Sequence, residues 1–384
     1  MKIDEIKKLS EADSRLILSW ISDHLDLHLA RNIQSRGAKV ALETITLNAA
    51  ARPSERRRIS RLKQINSIDE IREQLAVKAI EYLTPESEFW PEQLSDLDLA
   101  TPIGLFVKGE KLTLKDQSVA IVGTRNATSY GARITQDLAF GLANFGYTIV
   151  SGGAFGIDVI AHHSTLLAKG TTICVQANGL DNFYPKANQE LINRIVNNGA
   201  VVSEYPPGRP PGKSQFLERN RIIAALSGGV VVVEAPKISG SLSTANHASK
   251  ISRMVMAFPG EVTSDNSTGT NELIKTKQAE IIINHLDVIE LLSPLGQLPP
   301  EQIEISKLST YDRLSDNAKL VFETLPLRGG FQIQELVTRS GLDQVEVISA
   351  LSELEIFSAA RRSTTGWVMD AQANIRQPAL PDAC

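Results

Sequence analysis

Four glycine- and serine-rich turns, each placed where an apolar run ends, constrain this chain more than any other feature. They are Gly123-Thr124-Arg125, the stretch from Ser151 through Gly152 and Gly153 to Gly156, Asn178-Gly179-Leu180-Asp181, and Ser239-Gly240-Ser241. Apolar runs at 119–122, 148–151, 171–175, 200–203, 230–234 and 254–258 show no polar alternation, the pattern of strands buried on both faces. Between them, 130–145, 157–168, 187–197, 216–226 and 241–253 have helical length and period. Strand–helix alternation predicts an α/β fold with an extended Rossmann-like parallel sheet. In such a sheet the turns gather at the carboxyl edge, where backbone N–H groups and helix N-termini form a site for anions.

The flanks read differently. Residues up to about 95 carry apolar positions at three- and four-residue intervals over 13–24, 26–36, 39–47 and 68–81, which predicts a small helical module. Residues 85–109 read as an entry segment, and 279–292 as a last strand and helix. A Pro/Gly-rich linker at 294–306 precedes three helical segments, 314–324, 333–340 and 345–356, and then a hairpin near 359–368, the order of a winged helix. The expected domains are thus 1–95, 96–293, a linker at 294–306, a winged-helix-like domain at 307–370, and a tail at 371–384. The segment leading into and forming the last of these helices holds Asp343, Glu346, Glu353 and Glu355 and no lysine or arginine, so a phosphate backbone would be repelled there. This favours a protein-contact or structural role for the domain, with Arg361 and Arg362 as its obvious phosphate ligands.

At 384 residues, two or three domains are expected. The formal charge of -4 excludes a uniformly basic coat, so a polyanion must be met by a local patch. Two candidates exist: the run from Arg209 to Arg221, and the run with Arg52, Arg56, Arg57, Arg58, Arg61 and Lys63, which reads more simply as a solvated helix face. Two cysteines, Cys174 inside an apolar strand and Cys384 at the end, make a disulfide framework implausible. The six histidines show no zinc spacing, and neither a metal nor a cofactor is expected. No apolar run approaches the ~20 residues of a membrane span, and Met1 to Lys8 lead into no apolar signal region, so a cytoplasmic protein is expected.

The run Arg209-Pro-Pro-Gly-Lys213-Ser-Gln-Phe216-Leu-Glu-Arg219-Asn-Arg221 puts four cations and one ring into a short segment, which suits a ligand with a phosphate backbone and bases. Val122-Gly-Thr-Arg125, Ser151 to Asp158 with His162, Tyr184-Pro185, Ser203-Glu204-Tyr-Pro206, Phe216 to Ile222, Val233-Glu-Ala235, Gly240 to Ala245 and Pro259-Gly260 follow in an order that resembles the DNA-processing protein A (DprA/Smf) family. The resemblance covers about the middle half of the chain. Local departures occur at Gly269-Thr-Asn271, at Gln278-Ala279 and at Lys250-Ile251-Ser252. It implies a SAM-like N-terminal module and a single-stranded-DNA-binding, non-catalytic homodimer that loads the RecA recombinase on incoming DNA in natural transformation. It also implies DNA contacts from Arg125, Lys213, Phe216, Arg219 and Arg221, phosphates cradled by amides of Gly152, Gly153, Gly240 and Ser241, turn positions at Gly123 and Thr124, and a supporting Asn220.

Two other ligands of such a sheet fit the residues less well. A dinucleotide site lacks Gly-x-Gly-x-x-Gly after the first strand, where Arg125 would obstruct a pyrophosphate. A nucleoside-monophosphate hydrolase would draw on Glu204 or Glu234, but the turn 237–244 lacks the glutamate of the similar lysine-decarboxylase-like loop. In a cation-lined crevice both carboxylates are expected to orient arginines. Asp158 and His162, four apart on a helix, are expected to bond each other or cap the turn.

Overall fold

The computed structural model describes residues 3–22, 25–47, 53–293, 311, 314–327 and 329–370. The expected linker at 294–306, the tail at 371–384 and Arg52 lie outside the described residues. The chain divides into two compact units, one drawn from Met1–Ala127 with Asp137–Pro294, the other from Thr128–Gln136 with Leu295–Cys384.

The first unit opens with helices α1 (Ile3–Ile6), α2 (Glu11–Ile21), α3 (Leu27–Arg36), α4 (Ala38–Leu47), α5 (Pro53–Leu62) and α6 (Ile68–Val77). Their starts follow from capping: Ser10 Oγ accepts the Asp13 amide of α2, and Ser67 Oγ accepts the Glu70 amide of α6. Nine strands follow: β1 (Glu81–Leu83), β2 (Leu105–Gly109), β3 (Ser118–Val122), β4 (Thr148–Ser151), β5 (Thr172–Val175), β6 (Gly199–Ser203), β7 (Gly229–Val232), β8 (Met254–Ala257) and β9 (Glu280–Ile281). They form one sheet in the order β1-β2-β6-β5-β4-β3-β7-β8-β9, with β1–β2 and β2–β6 antiparallel and the other pairs parallel. Every residue of β3 to β7 is buried, which is why those strands read as unbroken apolar runs.

The helices between the strands are α7 (Ser129–Asn144), α8 (Ile157–Leu167), α9 (Gln189–Asn198), α10 (Lys213–Ala225), α11 (Gly240–Lys250), α12 (Thr268–Lys275) and α13 (His285–Leu292). From β3 the chain steps outward through β4, β5 and β6, then returns to β7 on the other side of β3. That reversal makes the carboxyl ends of β3 and its neighbours the topological switch point.

Two cores flank the sheet. One joins Val107, Val175 and Val202 to Ile222, Ala225 and Ala248 of α10 and α11. The other joins Phe106, Cys174 and Val201 to Ile192 and Ile195 of α9 and to Ile17, Ile21, Leu42 and Leu75 of the N-terminal helices. Each such aliphatic side chain contributes about 1.5–3 kcal/mol on burial. The first 95 residues therefore share a core with the sheet, and the expected boundary there is not a break in packing. The entry segment at 85–109 is corrected in the same way, because its Leu105-Phe-Val107 run forms β2 against β6.

In the second unit, α14 (Asp316–Thr324), α15 (Ile333–Ser340) and α16 (Gln344–Ile356) precede the hairpin β10 (Ala360–Ser363) and β11 (Gly366–Met369). Phe331 adds an antiparallel bridge to Trp367 of the hairpin.

Candidate nucleic-acid interface

The basic run at 209–221 forms α10 and its approach, and the helix has two characters. Its start has an open side: Lys213 and Ser214 are exposed while Gln215 is buried, and half-buried Phe216 has its ring centroid 5.5 Å from the Arg125 guanidinium and 5.7 Å from the Tyr184 ring. Its second half is enclosed, with Arg219 and Arg221 only 4% and 2% exposed. Arg219 Nη1 donates to the carbonyls of Gly152 (2.8 Å) and Val175. Arg221 donates to both carboxylate oxygens of Glu204 (2.7 and 2.6 Å) and through Nε to Ala100 O (2.8 Å). Asn220 Nδ2 donates to Gly240 O at 3.0 Å. Arg209, half-buried, donates to Ser22 O at 2.8 Å. The expectation that Arg219 and Arg221 face a ligand is thus corrected: together with the supporting Asn220, these buried side chains tie the strand ends and turns of β4, β5, β6 and β7 to one helix, and a cation so enclosed is a scaffold.

The turns themselves are held from inside. Thr124 is buried, its amide donating to Glu234 O (2.7 Å) and its carbonyl accepting the Ile157 amide (3.2 Å). A Cβ on Gly123 would strike Ile157 at 2.5 Å, so the first turn requires glycine there. A Cβ on Gly152 would lie 2.5 Å from the Arg219 guanidinium, so the glycine is the space in which the buried cation sits. Asp158 Oδ2 accepts the Ala154 amide (3.3 Å), and Asn188 Nδ2 donates to the Gly153 carbonyl (3.0 Å). The Ser241 amide donates to Ser239 Oγ, the helix cap, at 3.3 Å. Ser241 therefore does not offer the amide expected of it, and Gly152 and Gly153 are both buried. Gly240, first residue of α11, is exposed.

Beneath the turns lies a buried polar cluster. Burial raises the Asp158 carboxyl above its ordinary range, although Arg219 pulls it down. Burial also lowers Arg219, against the attraction of Asp158 and with repulsion from Arg125. His162 is pushed down to about 3 by burial and then by the Arg219 charge. Its Nδ1 meets Thr172 Oγ1 at 2.7 Å; that hydroxyl donates to Ile149 O, so the imidazole carries its proton on Nδ1. Asp158 thus caps the turn and His162 bonds the next strand; the two do not bond each other. Cys174, in the core as expected, is raised to about 12 by burial. On Arg221, burial opposes the charge but Glu204 outweighs it, and the net direction is upward. With both oxygens engaged, Glu204 is not placed as a general base.

Three exposed residues on the same edge were not singled out by sequence: Tyr184, Lys186 beside it, and Lys237 before α11. The Tyr184-Pro185 motif was a readable signal for the first two. The second basic run is divided where it is described: Arg56, Arg57 and Lys63 are exposed, Arg61 is half-buried and only Arg58 is buried. Arg58 pairs with Asp26 at 2.8 Å and Arg61 donates to Ile21 O at 3.0 Å. Within the second unit, Asp343 and Glu346 form the capping box of α16, and Glu353 accepts from Ser315 N and Oγ at 2.6 and 2.7 Å. The exposed face of α16 carries Gln344, Val345, Ile348, Ser349, Ser352 and Glu355 and no cation. Among the described residues no His, Cys, Asp and Glu group is arranged to hold a metal, and no helix is long and apolar enough to cross a membrane.

Residues 81–293 match the family described as DNA recombination-mediator protein A. A relative from Mycobacterium tuberculosis, named for DNA processing protein DprA, is 39% identical over 251 residues, covering 65% of this chain. The chain spans 64% of that relative's length. Among solved structures, DNA processing protein A from Streptococcus pneumoniae superposes with a TM-score of 0.59 at 32% identity, over 75% of this chain and 96% of that one. DNA processing protein A from Helicobacter pylori, solved for its single-stranded DNA binding mode, gives 0.51 at 37% identity, over 56% of this chain and 97% of that one.

Proposed function

This chain belongs to the DNA recombination-mediator protein A family, and from that premise we propose that it binds single-stranded DNA along the carboxyl edge of its sheet. The observation that carries the reading is the open side at the start of α10. Phe216 there lies beside Arg125 and is preceded by Lys213, so a ring for a base and cations for phosphates share one edge. Gly240 and the lysines at 186 and 237 extend the same edge. Nothing on it has the form of a helix presented to a duplex groove, and contacts of this kind position a backbone without reading sequence.

In biological terms, the bound strand is incoming DNA in natural transformation, the protein acts as a homodimer, and it hands the strand to the RecA recombinase without chemistry of its own. The engagement of Glu204 by Arg221 supports the non-catalytic reading over nucleotide hydrolysis. The test is competition between single- and double-stranded oligonucleotides of several sequences for the purified protein. The proposal expects the single strand to bind more tightly, with no recognition of a particular order of bases. Equal or tighter binding of duplex overturns it.

A further inference from the structure

Tyr184 has no role in the reading above, yet it is an exposed ring on a loop fixed from within. It is 43% exposed, while the preceding Phe183 turns inward and packs against the apolar core. The Tyr184 amide donates to Oε1 of Gln176, a side chain 1% exposed, at 3.0 Å. Asn178, 2% exposed, clamps the same loop through bonds from Nδ2 to the carbonyls of Gly179 (3.0 Å) and Asn182 (2.6 Å). The Gly208 amide reaches Asp181 Oδ1 at 2.8 Å, and the Gly179 amide reaches Arg209 O at 2.9 Å. An aromatic ring anchored this way but left in water loses little conformational entropy when a flat ligand covers it.

The ring stands 5.7 Å from Phe216 with the planes at 50°. A base inserted between two rings needs roughly 7 Å, twice the 3.4 Å stacking distance along a strand. The gap is too narrow and the faces are not parallel, so the two rings cannot grip one base between them. Each can meet a different base, and those two bases are then held at an angle instead of stacked on one another.

We infer that Tyr184 is a second nucleobase-contacting side chain, which together with Phe216 receives two consecutive, mutually unstacked nucleotides of a single strand. The inference rests on the crevice reading and adds a position to it. Unstacking sets a preference: a thymine strand, whose bases stack weakly, binds better than an adenine strand, which must first give up its own stacking. A Tyr184 that merely shields Phe216 produces no such preference, and leucine shields equally well.

The experiment measures binding of fluorescent oligo-dT and oligo-dA to the full chain, to Tyr184→Leu and to Tyr184→Phe. Loss of one stacked base weakens oligo-dT binding by Tyr184→Leu roughly 5- to 150-fold. The dT-over-dA preference of the unsubstituted chain shrinks in that variant, and Tyr184→Phe restores both. Unchanged affinity and preference in Tyr184→Leu overturns the inference and leaves the crevice reading standing. So does a loss of affinity that falls equally on both strands and accompanies a lower melting temperature. Failure of the unsubstituted chain to bind either strand overturns both readings.

Discussion

The two halves of α10 carry the same kind of sequence and do opposite things. Lys213 and Arg219 are cations six positions apart on one helix; the first is exposed, and the second is 4% exposed and bonded to two strand-end carbonyls. The difference lies in what surrounds each half. In the first half Lys213, Ser214 and Leu217 are exposed, whereas from Arg219 onward every residue to Leu226 is buried against the sheet and α11. Charge in a sequence therefore marks a ligand site only where the element has an open face. Where it has none, a cation must find carbonyls or a carboxylate, and it becomes the part that holds the site's shape.

The contrast breaks most sharply at Arg221. Removing it leaves Glu204 without the partner of both its oxygens, and Arg221→Met should cost about 3–5 kcal/mol of folding stability, read from denaturant midpoints. Unchanged stability with weakened DNA binding would place Arg221 on the ligand side. The buried cluster beside Arg219 should also appear in the pH dependence. The imidazole of His162 has an ordinary value of 6.5 when unfolded and about 3 when folded. The unfolded chain thus binds the extra proton between those values, and the neutral ring's contribution is complete above pH 6.5 and is lost as pH falls towards 3. His162→Asn, which keeps a donor for Thr172, should lessen the loss of stability by about 1.4 kcal/mol per pH unit inside that window. An identical pH profile would show that the ring is protonated in the folded protein.

The open half sharpens the comparison from the other side. Phe216→Ala should weaken single-strand affinity by about 1–3 kcal/mol, with melting and salt dependence nearly unchanged. A variant that binds normally but melts earlier would put the ring in the core.

Much of this architecture was legible in the sequence because unbroken apolar runs and glycine turns report double-sided burial directly. The six central strands and the order of the C-terminal elements were read from such runs. β2 was not, because Leu105-Phe-Val107 is short, follows a Pro-rich stretch and gains its meaning only by antiparallel pairing with β6, some 95 residues later. Arg219 and Arg221 were read as ligands from the family resemblance and from the density of cations in 209–221, neither of which says which way a helix face turns. Yet Arg221 runs straight into Ile-Ile-Ala-Ala-Leu226, a stretch with no polar face, and that signal already places the arginines against a core. Tyr184 sat inside a motif that carried the family resemblance, but its pairing with Phe216 joins segments 32 residues apart and appears only when the sheet edge is assembled.

The central claim, that one half of α10 meets the strand and the other holds the crevice, is tested most directly by salt titration of single-strand binding for the unsubstituted chain, Lys213→Ala and Arg219→Gln. Lys213→Ala should flatten the slope of log K against log salt by roughly 0.7, the value for one lost phosphate contact to a single strand. Arg219→Gln, removing an equal charge from the same helix, should leave the slope unchanged whatever it does to stability. A flattened slope for Arg219→Gln in a folded protein, with none for Lys213→Ala, would contradict the division of the helix.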